Sequence, residues 1–206
     1  DYESILERIG KDPQIQYATQ KRYPGTAMNI VPIEQVRQAM MEKDIRAGDV
    51  KKLVFTLPAW RDTFRDSIMT GPFPSQTQAE TSIPFQSAVL LLDGQQSEAR
   101  NHNPNTQDIL NFIAQKIDIR LDSSLTNPDF GERYSKMELF TKDGQKIVKE
   151  GNDHRFAPLD PHKWLKKGGL GLLPEGQIEG FIEAVQNLED IADVRQMTAF
   201  LSKPET

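Results

Sequence analysis

Cysteine is absent from the 206 residues. Disulfides, thiolate metal sites, iron–sulfur ligation and cysteine nucleophiles are excluded together. Histidine is scarce: His102, His154 and His162 are too dispersed to make a His-x-x-x-His pair. The chain has no Gly-x-Ser-x-Gly elbow, and Gly168-Gly169-Leu170-Gly171 lacks both a leading strand and a following Lys-Ser or Lys-Thr. That glycine run reads as a flexible connector rather than a phosphate loop. No apolar run approaches the ~20 residues that cross a bilayer, so no membrane-spanning role is expected. Positive charge is not in excess either. With 25 Lys and Arg against 30 Asp and Glu, the net charge of −5 argues against a broad nucleic-acid surface and leaves room only for a local basic pocket.

The first residues, Asp1-Tyr2-Glu3-Ser4, carry no Met, basic segment or apolar leader, which points to a fragment or a processed chain. Clusters of Pro, Gly, Asn, Asp and Ser at 68–76, 93–105, 122–132 and 151–162 read as loops. Between them, Tyr2–Ile9 reads as a short helix and Gln14–Ala18 as a strand running into a Pro24-Gly25 bend. Pro32 at a helix first turn, with Ile33, Val36 and Met40 on one face, predicts a helix to about Lys43. Alternation of Leu53, Phe55 and Leu57 predicts a strand ending at Pro58. Ser82 to Leu92 is apolar nearly all round, with Pro84 near its start and Asp93-Gly94 at its end, which predicts a buried helix. Asn105 or Thr106 caps a helix carrying Ile109, Phe112 and Ile113, which feeds a strand through Ile117, Ile119 and Leu121. Lys142-Asp143-Gly144 joins Tyr134–Thr141 to Gln145–Lys149 as a hairpin. Ile178, Phe181, Ile182 and Val185 then follow helical spacing, and a second stripe begins after Asp190 or Asp193. The expected fold is α+β: a small mixed unit with antiparallel strands over residues 1–155, then C-terminal helices over 156–206 that cannot close a core alone.

Few side chains advertise chemistry. His102 and His162 read as surface residues. His154, between Asp153 and Arg155, reads as a solvated loop histidine or as a switchable acid or base. Lys21-Arg22 at the bend reads as an ordinary surface pair or as a grip for a polycarboxylate, the Arg supplying a planar fork.

The order of short landmarks carries more. Lys21-Arg22-Tyr23-Pro24-Gly25, Pro32-Ile33-Glu34, the strand Val50–Leu57, Pro74-Ser75 with Ser82-Ile83-Pro84-Phe85 running into Leu91-Leu92-Asp93-Gly94, Lys142-Asp143-Gly144, Pro158-Leu159-Asp160 and Asn187-Leu188-Glu189-Asp190-Ile191-Ala192-Asp193 together resemble the second domain of the MmgE/PrpD family. The likeness runs from about Gln14 to near the C-terminus. Members include dehydratases of 2-methylcitrate and other alkylcitrates, cis-aconitate decarboxylase and iminodisuccinate epimerase.

The resemblance implies a lyase, acting without metal or organic cofactor on a citrate-like tricarboxylate, and a homodimer. It further implies that residues up to about 155 form a lid-type domain. The C-terminal helices would then pack on an N-terminal helical half, supplied by the same polypeptide or by a companion chain. Lys21 falls where the family has its lid-domain active-site lysine, binding a carboxylate or moving a proton; Arg22 follows as a weaker substrate contact, and His154 matches a histidine of some members. Two positions depart from the pattern. Ile30 stands where some members have His and Phe85 where some have Tyr, so both would offer apolar wall to an alkyl-bearing substrate, or serve as core packing. A non-catalytic companion subunit is the alternative reading.

Overall fold

The computed structural model describes residues 6, 10–11, 23–126, 134–152 and 173–202. Contacts divide the chain into two compact units, Asp1–Arg155 and Phe156–Thr206. The helix expected at Tyr2–Ile9, apart from Leu6, and the strand expected at Gln14–Ala18 lie outside the described residues, as do Lys21, Arg22 and His154.

In the first unit a 3-10 turn at Ala27–Asn29 leads into helix α1, Ile30–Lys43. Strand β1, Val50–Pro58, follows. The chain then runs through a 3-10 turn at Ala59–Thr63 and five helices: α2 Arg65–Ile68, α3 Gln76–Thr81, α4 Ile83–Asp93, α5 Glu98–His102 and α6 Gln107–Lys116. Strand β2, Ile117–Asp122, continues directly from α6. A 3-10 turn at Ser123–Thr126 and the hairpin β3, Ser135–Thr141, with β4, Lys146–Gly151, complete it. The loop readings at 93–105 and 122–132 thus hide two short helical pieces. Ser97 starts the first of them by accepting a hydrogen bond from the Arg100 amide.

The fold is α+β, and four strands among the described residues lie in the order β2-β1-β3-β4. Two pairings are antiparallel as expected, but β1 and β2 run parallel, Leu53 opposite Ile117 and Leu57 opposite Leu121. A parallel pair needs a long crossover, and the helical stretch between Pro58 and Ile117 supplies it. One sheet face carries Leu53, Phe55, Leu57, Met137 and Leu139, all fully buried. Helix α1 packs on β3 and β4, α6 on β1, and α4 lies against both helices. Helix α4 is buried almost throughout because only Gln86, Ser87 and the terminal Asp93 interrupt its apolar surface. Ser82 caps it, accepting from the Phe85 amide at 3.0 Å and donating to the Met69 carbonyl at 2.7 Å. Between α1 and the sheet, Gln35 and Ser135 exchange two buried hydrogen bonds: Gln35 Nε2 donates to the Ser135 carbonyl and Ser135 Oγ to Gln35 Oε1.

The second unit holds α7, Glu175–Gln186, a 3-10 turn at Leu188–Asp190, and α8, Val194–Ala199. Asp193 caps α8 by accepting from the Arg195 amide. The aromatic ring of Phe200 lies directly over Gly180, where any Cβ would collide with it. Ile178 and Ile182 are buried, whereas Val185, Leu188, Val194 and Leu201 are exposed. Among the described residues no helix is long and apolar enough to cross a membrane.

Candidate functional site

The described chain resumes at Tyr23, directly after Lys21-Arg22, and the stretch from Tyr23 to Asn29 is fixed at several points. The Tyr23 hydroxyl donates to Glu34 Oε2 at 2.6 Å. Glu34 also accepts from Arg37 in the next turn of α1, which raises the Arg37 pKa above its ordinary value. Gly25 has φ of +91° and lies against the backbone of Glu80, so closely that a Cβ would run into the Glu80 carbonyl oxygen. Only glycine meets both conditions, which explains the Pro24-Gly25 bend physically. At the far end the Asn29 amide donates to the Thr81 carbonyl.

Arg61 locks this stretch from beneath. Its side chain is completely buried, with the guanidinium donating to the Met28 carbonyl at 2.6 Å and to Asn29 Oδ1 at 2.7 Å and lying 5.0 Å from the Trp60 ring centre. A buried arginine is expensive unless its donors are satisfied, so its presence ties the turn at 27–29 to the carboxyl end of β1.

Beside the locked stretch lies a cavity of about 380 Å³, lined by Thr26 and Met28 from the stretch itself, Thr63 to Ser67 from the turn after β1, and Thr81. Arg65 at its rim makes no ion pair or hydrogen bond among the described residues. In the wall, the Thr26 and Ser67 hydroxyls are hidden from solvent and lack hydrogen-bond partners among the described residues. Orphaned buried hydroxyls are rare in finished interiors and mark places where a bound group or ordered water completes the site. Met28 and Phe64 give the cavity an apolar side. The combination of one guanidinium, the Asp66 carboxylate, hydroxyls and an apolar wall offers a small polar ligand carrying an alkyl group both a charged and an apolar side.

Ile30 and Phe85 do not border this cavity. Ile30 opens α1 inside the core, and Phe85 is fully buried on α4, its ring edge-on to Phe73 at 5.2 Å between centres. His102 ends α5 on the surface. Sequence reasoning overlooked Thr26, Arg61, Arg65 and Ser67. Their one sequence signal was position: Arg61, Arg65 and Ser67 fall within ten residues of the end of a strand, near where open α/β sheets commonly bind ligands. Among the described residues no group of three or more His, Asp or Glu is placed to hold a metal ion. Neither a family model nor a curated protein matches the chain.

Proposed function

We propose that this chain is the C-terminal part of a cofactor-independent lyase of the MmgE/PrpD type that dehydrates 2-methylcitrate or a longer alkylcitrate. The observation that carries this reading is the locked stretch Tyr23–Asn29, which follows Lys21-Arg22 in the sequence and borders, through Thr26 and Met28, a cavity holding an uncommitted Arg65. In such a reaction a base removes the proton next to a carboxylate, the carbon–oxygen bond to the neighbouring hydroxyl breaks, and the hydroxide leaves as water after protonation. Fixed cations hold the carboxylates and stabilise the charge that develops between the two events. Lys21 and Arg65 supply such cations, with Lys21 or His154 moving the proton. Met28 and Phe64, rather than Ile30 and Phe85, receive the alkyl group. The exposed Val185, Leu188, Val194 and Leu201 support a helical partner for the second unit, since two short helices bury too little by themselves.

The test is turnover by the full polypeptide that carries this sequence. Dehydration of 2-methylcitrate is followed by the unsaturated product. Lys21→Ala is expected to lower kcat on the order of 100-fold, and Arg65→Ala to raise KM about 10-fold with a smaller change in kcat. Loss of carbon dioxide from cis-aconitate without dehydration would move the assignment to a decarboxylase. No turnover of any citrate analogue by the full polypeptide rejects the lyase reading.

A further inference from the structure

The sheet face turned away from the helices holds a second cavity, of about 540 Å³, at the end where β2 runs into the Ser123–Thr126 turn. The strand register determines which charges meet there. Thr56 pairs with Arg120 across the parallel edge and with Lys136 across the antiparallel one. With strands ~4.8 Å apart, the two cations bracket the threonine with their Cα atoms ~10 Å from each other. Glu150 is the next rung beyond Lys136.

The acids of this cavity are anchored singly. Glu138 is paired with Lys146 at 2.7 Å. Asp122 Oδ1 accepts from the amide and hydroxyl of Ser124 at 2.8 and 2.6 Å. Glu150 Oε1 accepts from the buried Tyr134 hydroxyl at 2.8 Å. In contrast, Arg120 and Lys136 make no hydrogen bond or ion pair among the described residues, and the second oxygens of Asp122 and Glu150 accept none. Two cations, whose charges also act on Glu138, and two carboxylate oxygens thus line one space without a hydrogen-bond or ion-pair partner. Their charges cancel, so a polyanion meets repulsion from the acids and a polycation meets it from the bases. A ligand carrying both signs meets the cations and a carboxylate at once.

We propose that this cavity binds a small zwitterion of the amino-acid type. Its carboxylate lies between Arg120 and Lys136 over Thr56, and its ammonium faces a flanking carboxylate, Asp122 two residues beyond Arg120 or Glu150 opposite Lys136. Arg120 contributes the planar fork and Lys136 a point charge, while Leu125 and the Tyr134 ring leave room for a short apolar side chain. The site is separate from the cavity beside Tyr23–Asn29, and its occupancy does not depend on the lyase reading.

Calorimetric titration of the full polypeptide with L-alanine, propionate and ethylamine tests it. Saturable binding of L-alanine is expected, with propionate and ethylamine each at least ~10-fold weaker because each leaves one charge pair unmet. Arg120→Ala and Lys136→Met, both at the solvent-facing surface, are each expected to weaken L-alanine about 10-fold, while Arg65→Ala leaves it unchanged. Absence of saturable L-alanine binding overturns the proposal, as does propionate binding equally well or Arg65→Ala weakening L-alanine as much as Arg120→Ala.

Discussion

The two faces of the sheet are made by alternate residues of the same strands, yet they are held by different forces. Towards the helices β1 presents Leu53, Phe55 and Leu57, and β3 presents Met137 and Leu139, all buried against α1, α4 and α6. On the other face the same strands present mostly polar residues, Lys52 and Thr56, Lys136 and Glu138, with Val54 buried and Phe140 among them, and the neighbouring strands add Asp118, Arg120, Lys146, Val148 and Glu150. Burial fixes the register, because a slip of one residue would place lysine and glutamate among the helices and phenylalanine in water. The polar face gains little stability from its pairs and instead determines which ligands the surface accepts.

The comparison breaks most visibly at adjacent positions. Phe55→Ala is expected to destabilise the chain by about 4 kcal/mol, through lost transfer energy and a cavity beneath the helices. Thr56→Ala, one residue along on the other face, is expected to stay within about 0.5 kcal/mol. Urea unfolding of the two variants measures both. Equal effects would show that the faces are not energetically distinct.

That division was written plainly in β1, whose alternation needs no information beyond the strand itself. The hairpin around Lys142-Asp143-Gly144 and helix α4, between the Ser82 cap and Gly94, were legible for the same reason: cap, turn residue and period all act within a few residues. Parallel pairing of β1 with β2 was not, since it depends on how the stretch from Ala59 to Lys116 crosses over. Leu121 followed the apolar alternation of its strand but stands 39% exposed, because β2 is an edge and the helices do not reach its end. Asn105 was a candidate helix cap; its side chain instead exchanges two hydrogen bonds with the backbone of Phe73, and Thr106 takes the cap position. The candidate site was least legible of all. Arginine is ordinarily a surface residue, and nothing local marks Arg61 as the one whose burial locks the turn at Met28 and Asn29.

A pH measurement sharpens the contrast from the polar side. Burial, helped by the hydrogen bond to Glu150 and the nearby charges of Glu150 and Asp122, pushes the Tyr134 phenol up to about 12 from 10. The unfolded chain ionises this phenol near pH 10 and the folded chain does not. The stability it contributes is therefore complete below pH 10 and is lost as pH rises to about 12. That loss amounts to at most ~2.7 kcal/mol. Tyr134→Phe is expected to flatten this part of the stability profile relative to the parent chain, and parallel profiles would show that the phenol ionises alike in both states.

Beneath the covered face, the Gln35–Ser135 exchange is a polar exception whose value lies in being complete. Gln35→Ala leaves the Ser135 carbonyl buried and unpaired and is expected to cost about 2 kcal/mol. Gln35→Leu combined with Ser135→Ala removes most of the unmet demand and is expected to cost less than Gln35→Ala alone, a non-additivity that denaturant unfolding resolves.

The smallest effect belongs to the Lys52–Asp118 pair on the polar face, 2.8 Å apart with side chains 35% and 46% exposed. Water screens a pair this open, and holding two side chains in one geometry offsets much of the attraction. A double-mutant cycle with Lys52→Ala and Asp118→Ala is expected to return a coupling of about 0.3 kcal/mol that vanishes in molar salt. A coupling above about 1 kcal/mol would mean that this face is held by its charges as firmly as the other is by its apolar contacts. The charges of Arg120 and Lys136 would then count as structural, and the case for leaving them to a ligand would weaken with them.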